Sequence, residues 1–332
     1  MKRVLVLGGT GAMGVYLVPL LRQMGCAVDV VSLDERISDD PELRYIRADA
    51  TDLTYLVELL KNGYHGIVDF MIYRTERFAE RYRMFLENTD HYIYLSSYRV
   101  YAGDSPITEQ SPRLLDVSED REFLATEDYS LFKARGEDIL HRSGFDNYTV
   151  IRPAVTFSKF RFQLVTLEAN VLIRRMKEGK TVLLPAEARE VQATMSWAGD
   201  VAKMIARLLF APHARRESYT LATAEHQSWG EVAEYYREIG GLRARWVSME
   251  EYLRICSGGG EIENGPRYQL QYDRLFDRVV DNRKILEATG MKQADLMPVK
   301  EGLRREFCAL PADCSWSESR IYTAMDQWLN RP

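Results

Sequence analysis

RVLVLGGTGAMG, residues 3–14, sets a short apolar run directly before a glycine-rich turn. Val and Leu without polar alternation is the pattern of a central parallel strand covered on both faces. Gly8, Gly11 and Gly14 then allow a tight turn and the close approach of a phosphate to the amides opening a helix. Their spacing is three and three, not the two and three of the common dinucleotide fingerprint. A tight turn with close helix–sheet packing is the plainer alternative for the glycines, and the surroundings of the motif decide between the two.

Those surroundings alternate strand and helix. VYLVPLLRQMG reads as a helix ending at Gly25, with Pro19 out of pattern unless it falls in the early turns. CAVDVVSLD at 26–34 is a second strand, and LRYIRADATD at 43–52 a third strand and a turn. Apolar residues at 53, 56, 57, 59 and 60 give TDLTYLVELLKNG one apolar helical face. HGIVDFMIY is strand four, 75–87 a polar helix, HYIYLSS at 91–97 strand five, YSLFKARGEDILHRSG a helix, and YTVIRP at 148–153 strand six. Six strands with crossover helices predict an α/β, Rossmann-like doubly wound parallel sheet over 1–155. Residues 156–332 are expected to form mainly a smaller mixed substrate-binding lobe, with some segments returning to the sheet. Helices are predicted near 165–177, 200–211, 229–240 and 315–329, and short strands at 181–184 and 217–222. Ser228 with Glu231, and Ser248 with Glu251, have capping-box spacing.

Composition narrows the class. The chain has 332 residues, 44 Lys and Arg against 49 Asp and Glu, and a net charge of -5, so nothing draws it generally to nucleic acid or anionic lipid. The apolar run after Met1 stops too soon for a signal peptide, and no stretch approaches the length of a membrane span. Cys26, Cys256, Cys308 and Cys314 make no disulfide framework, and the five histidines form no metal-ligand spacing. A soluble, cytoplasmic protein without a metal, membrane or nucleic-acid partner is expected.

Asp34 closes the second strand 26 residues after Gly8. A carboxylate there accepts the ribose hydroxyls of NAD and repels a 2′-phosphate, while Arg36 could accommodate that phosphate. NAD is the expected cofactor, with NADP the lesser alternative. Asp49 either meets the adenine edge or caps a turn. In YSLFK, Tyr129 and Lys133 stand four apart and share a helical face, so the ammonium can favour the phenolate and make tyrosine a base. The pair alone carries little weight in a chain with 19 tyrosines. Ser97, at the carboxyl end of strand five, adds a hydroxyl where ligands bind such sheets.

Taken together these segments resemble the extended short-chain dehydrogenase/reductases of the NAD-dependent epimerase/dehydratase family, well over 1–155 and more loosely over 156–305. The resemblance implies Ser97, Tyr129 and Lys133 as catalytic residues. It implies cofactor contacts from Gly8, Thr10, Gly11, Ala12, Met13, Gly14, Asp34, Asp49, Ala50, Lys133 and Pro153. SSYRVYA stands where the family has its serine-to-VYG segment, with Ala102 in place of the usual glycine. Tyr129 would take a hydroxyl proton as hydride leaves for the nicotinamide, Ser97 would hydrogen-bond the same oxygen, and Lys133 would hold the nicotinamide ribose. A homodimer through the 129–144 helix is implied as well.

Departures from the family pattern bear on the substrate. Tyr98 and Arg99 stand where 4,6-dehydratases carry an Asp-Glu pair, which argues against dehydration. Asp69 and Met71 stand at the end of strand four where many relatives have a histidine and small alanines, making that wall bulkier or differently charged, and AVTFSKF after Pro153 lacks the asparagine and glycine-proline of nucleotide-sugar epimerases. Arg99, Lys159, Arg161 and Arg189 are candidate anion contacts, each also readable as a surface cation; Trp197 and Trp246 read as packing residues. The leading expectation is an NAD-dependent epimerase acting through transient hydride abstraction at a secondary alcohol, with a sugar nucleotide as substrate. A dehydrogenase or reductase of another hydroxyl or ketone, and a non-catalytic dinucleotide-binding regulatory or RNA-associated protein, are the alternatives.

Overall fold

A computed structural model describes residues 1–311 and 314–331. Its centre is a seven-stranded, wholly parallel sheet: β1 (Arg3–Leu7), β2 (Ala27–Ser32), β3 (Leu43–Arg47), β4 (Tyr64–Asp69), β5 (Thr89–Leu95), β6 (Tyr148–Pro153) and β7 (Glu217–Leu221). The spatial order is β7-β6-β5-β4-β1-β2-β3, so the winding reverses between β1 and β4. A crevice opens beyond the carboxyl ends of strands at such a reversal. The doubly wound architecture expected from the alternation is present, and its seventh strand comes from beyond residue 155.

The strands are apolar on both sides because both sides are covered. Val4 and Val6 face α1 (Gly14–Gln23) and a later helix, α4 (Ala198–Leu208), through Leu17, Leu21, Val201 and Ile205. Leu5 and Leu7 face the other way, toward Leu56 and Leu59 of α2 (Leu53–Leu60) and Leu140 of α3 (Tyr129–His141). Pro19 lies inside α1, where the helix tolerates one missing donor. The predicted 75–87 helix is interrupted: Thr75–Ala79 and Tyr82–Glu87 flank Glu80 and Arg81. Arg81 is buried with its guanidinium 4.5 Å from the Tyr73 ring centre.

The second lobe is assembled from short pieces around its own core. Thr181–Pro185 pairs in parallel with Arg243–Val247, and Val155–Phe157 with Met195–Trp197. Both predicted capping boxes are formed, at Ser228–Glu231 and Ser248–Glu251. A late helix, α5 (Val299–Cys308), returns to the first lobe. Its buried Glu306 accepts the Tyr16 hydroxyl, the Trp197 indole N–H and the Lys159 amide, each at 2.7 Å. Tyr16 belongs to α1, so the two lobes are latched beside the glycine turn. No described helix is long and apolar enough to cross a membrane.

Candidate active site

A cavity of about 570 Å³ opens at the winding reversal, between the glycine turn and the second lobe. Gly8 turns the chain with φ +72°, a conformation side chains disfavour. Gly9 is wedged under the turn, where a Cβ would come within 2.8 Å of Cγ1 of both Val6 and Val30. Gly14 lies against Gly9, and a Cβ there would collide with the Gly9 carbonyl oxygen. Gly11 is looser, its nearest neighbour being the Gly8 carbonyl oxygen at 3.5 Å. The reading by spacing passed over Gly9, although the doubled glycine was its signal. Among the described residues the N–H groups of Ala12 and Met13 donate to no protein acceptor, and both residues line the cavity. Bare amides at a helix start beside a cradle with no room for side chains fit the pyrophosphate of a dinucleotide.

The other expected cofactor residues divide. Gly8, Gly11, Gly14 and Pro153 line the cavity with Ala12 and Met13. Thr10 turns inward and bonds the Ser32 hydroxyl at 2.6 Å. Asp34 lies two residues beyond β2 and is exposed. Asp49 accepts the amide and hydroxyl of Thr51 at 2.8 and 2.7 Å, the turn-capping arrangement. Ala50 is buried, with the Tyr73 hydroxyl 3.5 Å from its carbonyl. Met71 packs beneath Gly8, while Phe70 and Ile72 line the cavity.

Ser97 and Tyr129 both face the cavity. Ser97 follows β5 and accepts the Arg99 amide at 3.2 Å, leaving its hydroxyl hydrogen to donate. Tyr129 opens α3, whose first turn is capped by Asp128. Burial raises the Tyr129 pKa, opposed by the positive charges of Arg99 and Arg161 and by the neighbouring Ser97 hydroxyl. The Arg99 guanidinium is 5.1 Å from the Tyr129 ring centre.

Lys133 lies one turn deeper and is fully buried. Its ammonium donates to the Leu95 carbonyl at 2.6 Å and stands 5.8 Å from the Tyr129 ring centre. Burial pushes its pKa down to about 8, with Asp69 and Glu137 acting the other way. The lysine thus fastens α3 to the end of the strand that leads to Ser97, and Arg99 lies nearer the Tyr129 ring than the lysine does. Asp69 lies buried at the end of β4, accepting the Tyr92 hydroxyl and the Met71 amide, and burial pushes it up to about 6.

A charged network fixes this geometry from behind. Glu137, two turns beyond Tyr129, accepts both Nε and Nη2 of Arg152 at 2.8 Å, Nη1 of Arg113 at 3.2 Å, and the Ser96 hydroxyl. Burial works against its ionisation, but Arg152 and its other donors win and keep the carboxyl below its usual range. Arg152 also donates to the Tyr101 hydroxyl at 2.9 Å, which meets Thr220 at 2.6 Å. The network joins β5, α3, β6 and β7, and nothing in the linear spacing of its members announced it.

On the substrate side, Arg99 and Arg161 line the cavity, whereas Lys159 and Arg189 do not. Arg274, from a segment 113 residues beyond Arg161 in the numbering, lines it too and went unread in the sequence. Exposed Ile72 and Phe160 flank the opening. Among the described residues no group of three His, Cys, Asp or Glu side chains is placed to hold a metal.

A doubly wound parallel sheet, a phosphate cradle and a Ser/Tyr pair at one crevice, with Lys133 buried behind them, define a dinucleotide-dependent enzyme. The NAD dependent epimerase/dehydratase family model matches residues 4–222, and the chain belongs to that family, with NAD as cofactor. Similar solved structures include an epimerase from Methanothermobacter thermautotrophicus, 15% identical with TM-score 0.68, covering 92% of this chain and 91% of that one. UDP-glucuronic acid 4-epimerase of Bacillus cereus, in complex with UDP-glucuronic acid and NAD, is 15% identical with TM-score 0.67, covering 92% and 98%. UDP-glucose 4-epimerase of Thermus thermophilus with NAD is 17% identical with TM-score 0.63, covering 92% and 98%. At these identities the likeness establishes the common fold. No curated protein matches the sequence.

Proposed function

We propose that the protein is an epimerase that oxidises a secondary alcohol of a nucleotide sugar transiently and returns the hydride to the opposite face. The observation that carries this reading is that Ser97 and Tyr129 share one cavity with the glycine cradle while Lys133 ties their two elements together. NAD, when bound, supplies the hydride acceptor. Tyr129 takes the proton of the substrate hydroxyl, with Arg99 and Arg161 favouring its phenolate. Ser97 donates a hydrogen bond to the same oxygen as charge develops there. Lys133 holds α3 at the height that lets both hydroxyls reach one atom. The epimerases among the structural neighbours support the choice of reaction, and their UDP-sugar complexes support the choice of substrate.

A panel of nucleotide sugars incubated with the NAD-loaded enzyme tests this. Inverted product without NADH accumulation is expected, whereas stoichiometric NADH release would make the protein a dehydrogenase. Tyr129→Phe should retain NAD binding and lose about a hundredfold or more in turnover. Wild-type turnover in that variant would end the reading.

A further inference from the structure

The cavity wall around Tyr129 carries more positive charge than a neutral sugar requires. Arg99, Arg161 and Arg274 all line it. Behind them, fully buried Asp273 is shared by three guanidinium groups: Arg99 at 3.3 Å, Arg278 at 3.2 Å, and adjoining Arg274. Arg274 and Arg278 direct further donors into the fold, Arg274 to the Val165 carbonyl at 2.7 Å and the Tyr98 hydroxyl at 3.1 Å, Arg278 to the Tyr101 carbonyl at 3.1 Å.

Arg161 is not used up in this way, and Arg99 only in part. The Arg99 side chain is 13% exposed, its carboxylate neighbours Asp273 and Asp128 stand at 3.3 and 3.8 Å, and its buried Nε has no hydrogen-bond partner. Asp128 is itself engaged by the amide and hydroxyl of Ser130. The Arg161 side chain has a single bond, to the Thr156 hydroxyl at 3.4 Å, and no carboxylate in ion-pair range among the described residues. Glu168, the acid on the cavity wall, is taken by the Gln163 amide.

The position of this charge matters as much as its excess. Arg99 follows Ser97 by two residues and lies against the Tyr129 ring, so it borders the reacting carbon. The diphosphate of a nucleotide sugar leaves the ring at the far side from the atom being oxidised. We propose that the substrate carries a carboxylate beside the alcohol that Tyr129 deprotonates, making it a uronic acid, and that Arg99 and Arg161 bind that carboxylate. Planar guanidinium groups with free donors suit this task. The assignment deepens the epimerase reading and rests on its placement of Tyr129 at the reacting carbon, while the carboxylate site can be tested apart from the nucleotide.

UDP-glucuronic acid and UDP-glucose differ only at the carbon bearing the acid. Calorimetry on the NAD-loaded enzyme should show the acid binding at least about tenfold tighter, the scale of a charge-assisted pair. Arg161→Gln should bring the two within about twofold, and Arg161→Lys should keep part of the preference. Equal binding of the two by the wild type, or an undiminished preference in Arg161→Gln, overturns the proposal while leaving the nucleotide-sugar reading intact. Saturation-transfer NMR with free D-glucuronate against D-glucose covers the opposite case. Glucuronate binding that Arg161→Gln abolishes, with neither UDP-sugar bound, upholds the carboxylate site and refutes the nucleotide. Failure of every acid probe overturns the proposal.

Discussion

Replacing Lys133 with methionine should abolish function while leaving the fold nearly as stable at pH 7. Lys133 has no exposed surface, and burial holds its ammonium at a pKa of about 8 instead of 10.5. At about 1.4 kcal/mol per pH unit, keeping that charge inside the protein costs about 3 kcal/mol at neutral pH. Methionine fills a similar volume without the charge. What the variant loses is the 2.6 Å bond to the Leu95 carbonyl, roughly 1–3 kcal/mol for a stranded acceptor. It also loses the cation facing Asp69, which at about 1 kcal/mol can relieve itself by taking up a proton. Gains and losses cancel to within about 2 kcal/mol at pH 7. The pH dependence does not cancel. Between pH 8 and 10.5 the native lysine is neutral while the unfolded one is still charged, so the unfolded state binds more protons and wild-type stability rises with pH. Lys133→Met lacks this gain, so wild type should pull ahead by about 3 kcal/mol across that window. Urea unfolding of both cofactor-free proteins at pH 7, 8, 9 and 10 measures the difference. Curves that stay parallel, or a variant weakened by more than about 3 kcal/mol at pH 7, would refute the reasoning.

Gly9→Ala should destabilise by about 1–3 kcal/mol through overpacking against Val6 and Val30, and Val30→Ala should restore part of that, both read by chemical denaturation. Arg152→Met leaves the buried Glu137 carboxylate with Arg113 as its remaining cation and should cost up to about 3 kcal/mol, with Glu137→Gln in the same chain recovering some of it. If Asp34 receives the adenosine ribose, calorimetry should find NAD binding tighter than NADP, and Asp34→Asn should narrow the gap. Equal or tighter NADP binding by the wild type would give the deciding role to Arg36.

The sheet was legible because its signals are local. Four residues of unbroken Val and Leu before glycines describe a strand covered on two sides, and the capping boxes need only four consecutive residues. The break at Glu80 and Arg81 was not legible, since it follows from a guanidinium reaching the Tyr73 ring, a contact between elements. The site divides in the same way. Gly8, Ser97 and Tyr129 stand at strand ends or a helix start, where topology alone brings them to the crevice. The direction in which Lys133 points depends on the Leu95 carbonyl, and the merits of Arg161 over Lys159 depend on which side of a turn each occupies. Arg274 comes from so far along the chain that only the folded second lobe connects it with Tyr129.

The seventh strand also shapes the birth of the protein on the ribosome. β7 covers the outer edge of β6, supplying Thr220 to Tyr101, while the neighbouring Ala214 carbonyl receives the Thr149 hydroxyl. Roughly 70 residues separate the end of β6 from the end of β7. At about 5–20 residues per second the nascent chain therefore carries a six-stranded sheet with a bare, apolar edge for several seconds. A second nascent chain on the same message presents an identical edge at that stage. Translation pauses between residues 154 and 216 should therefore raise the yield of aggregate, and faster passage through that stretch should lower it.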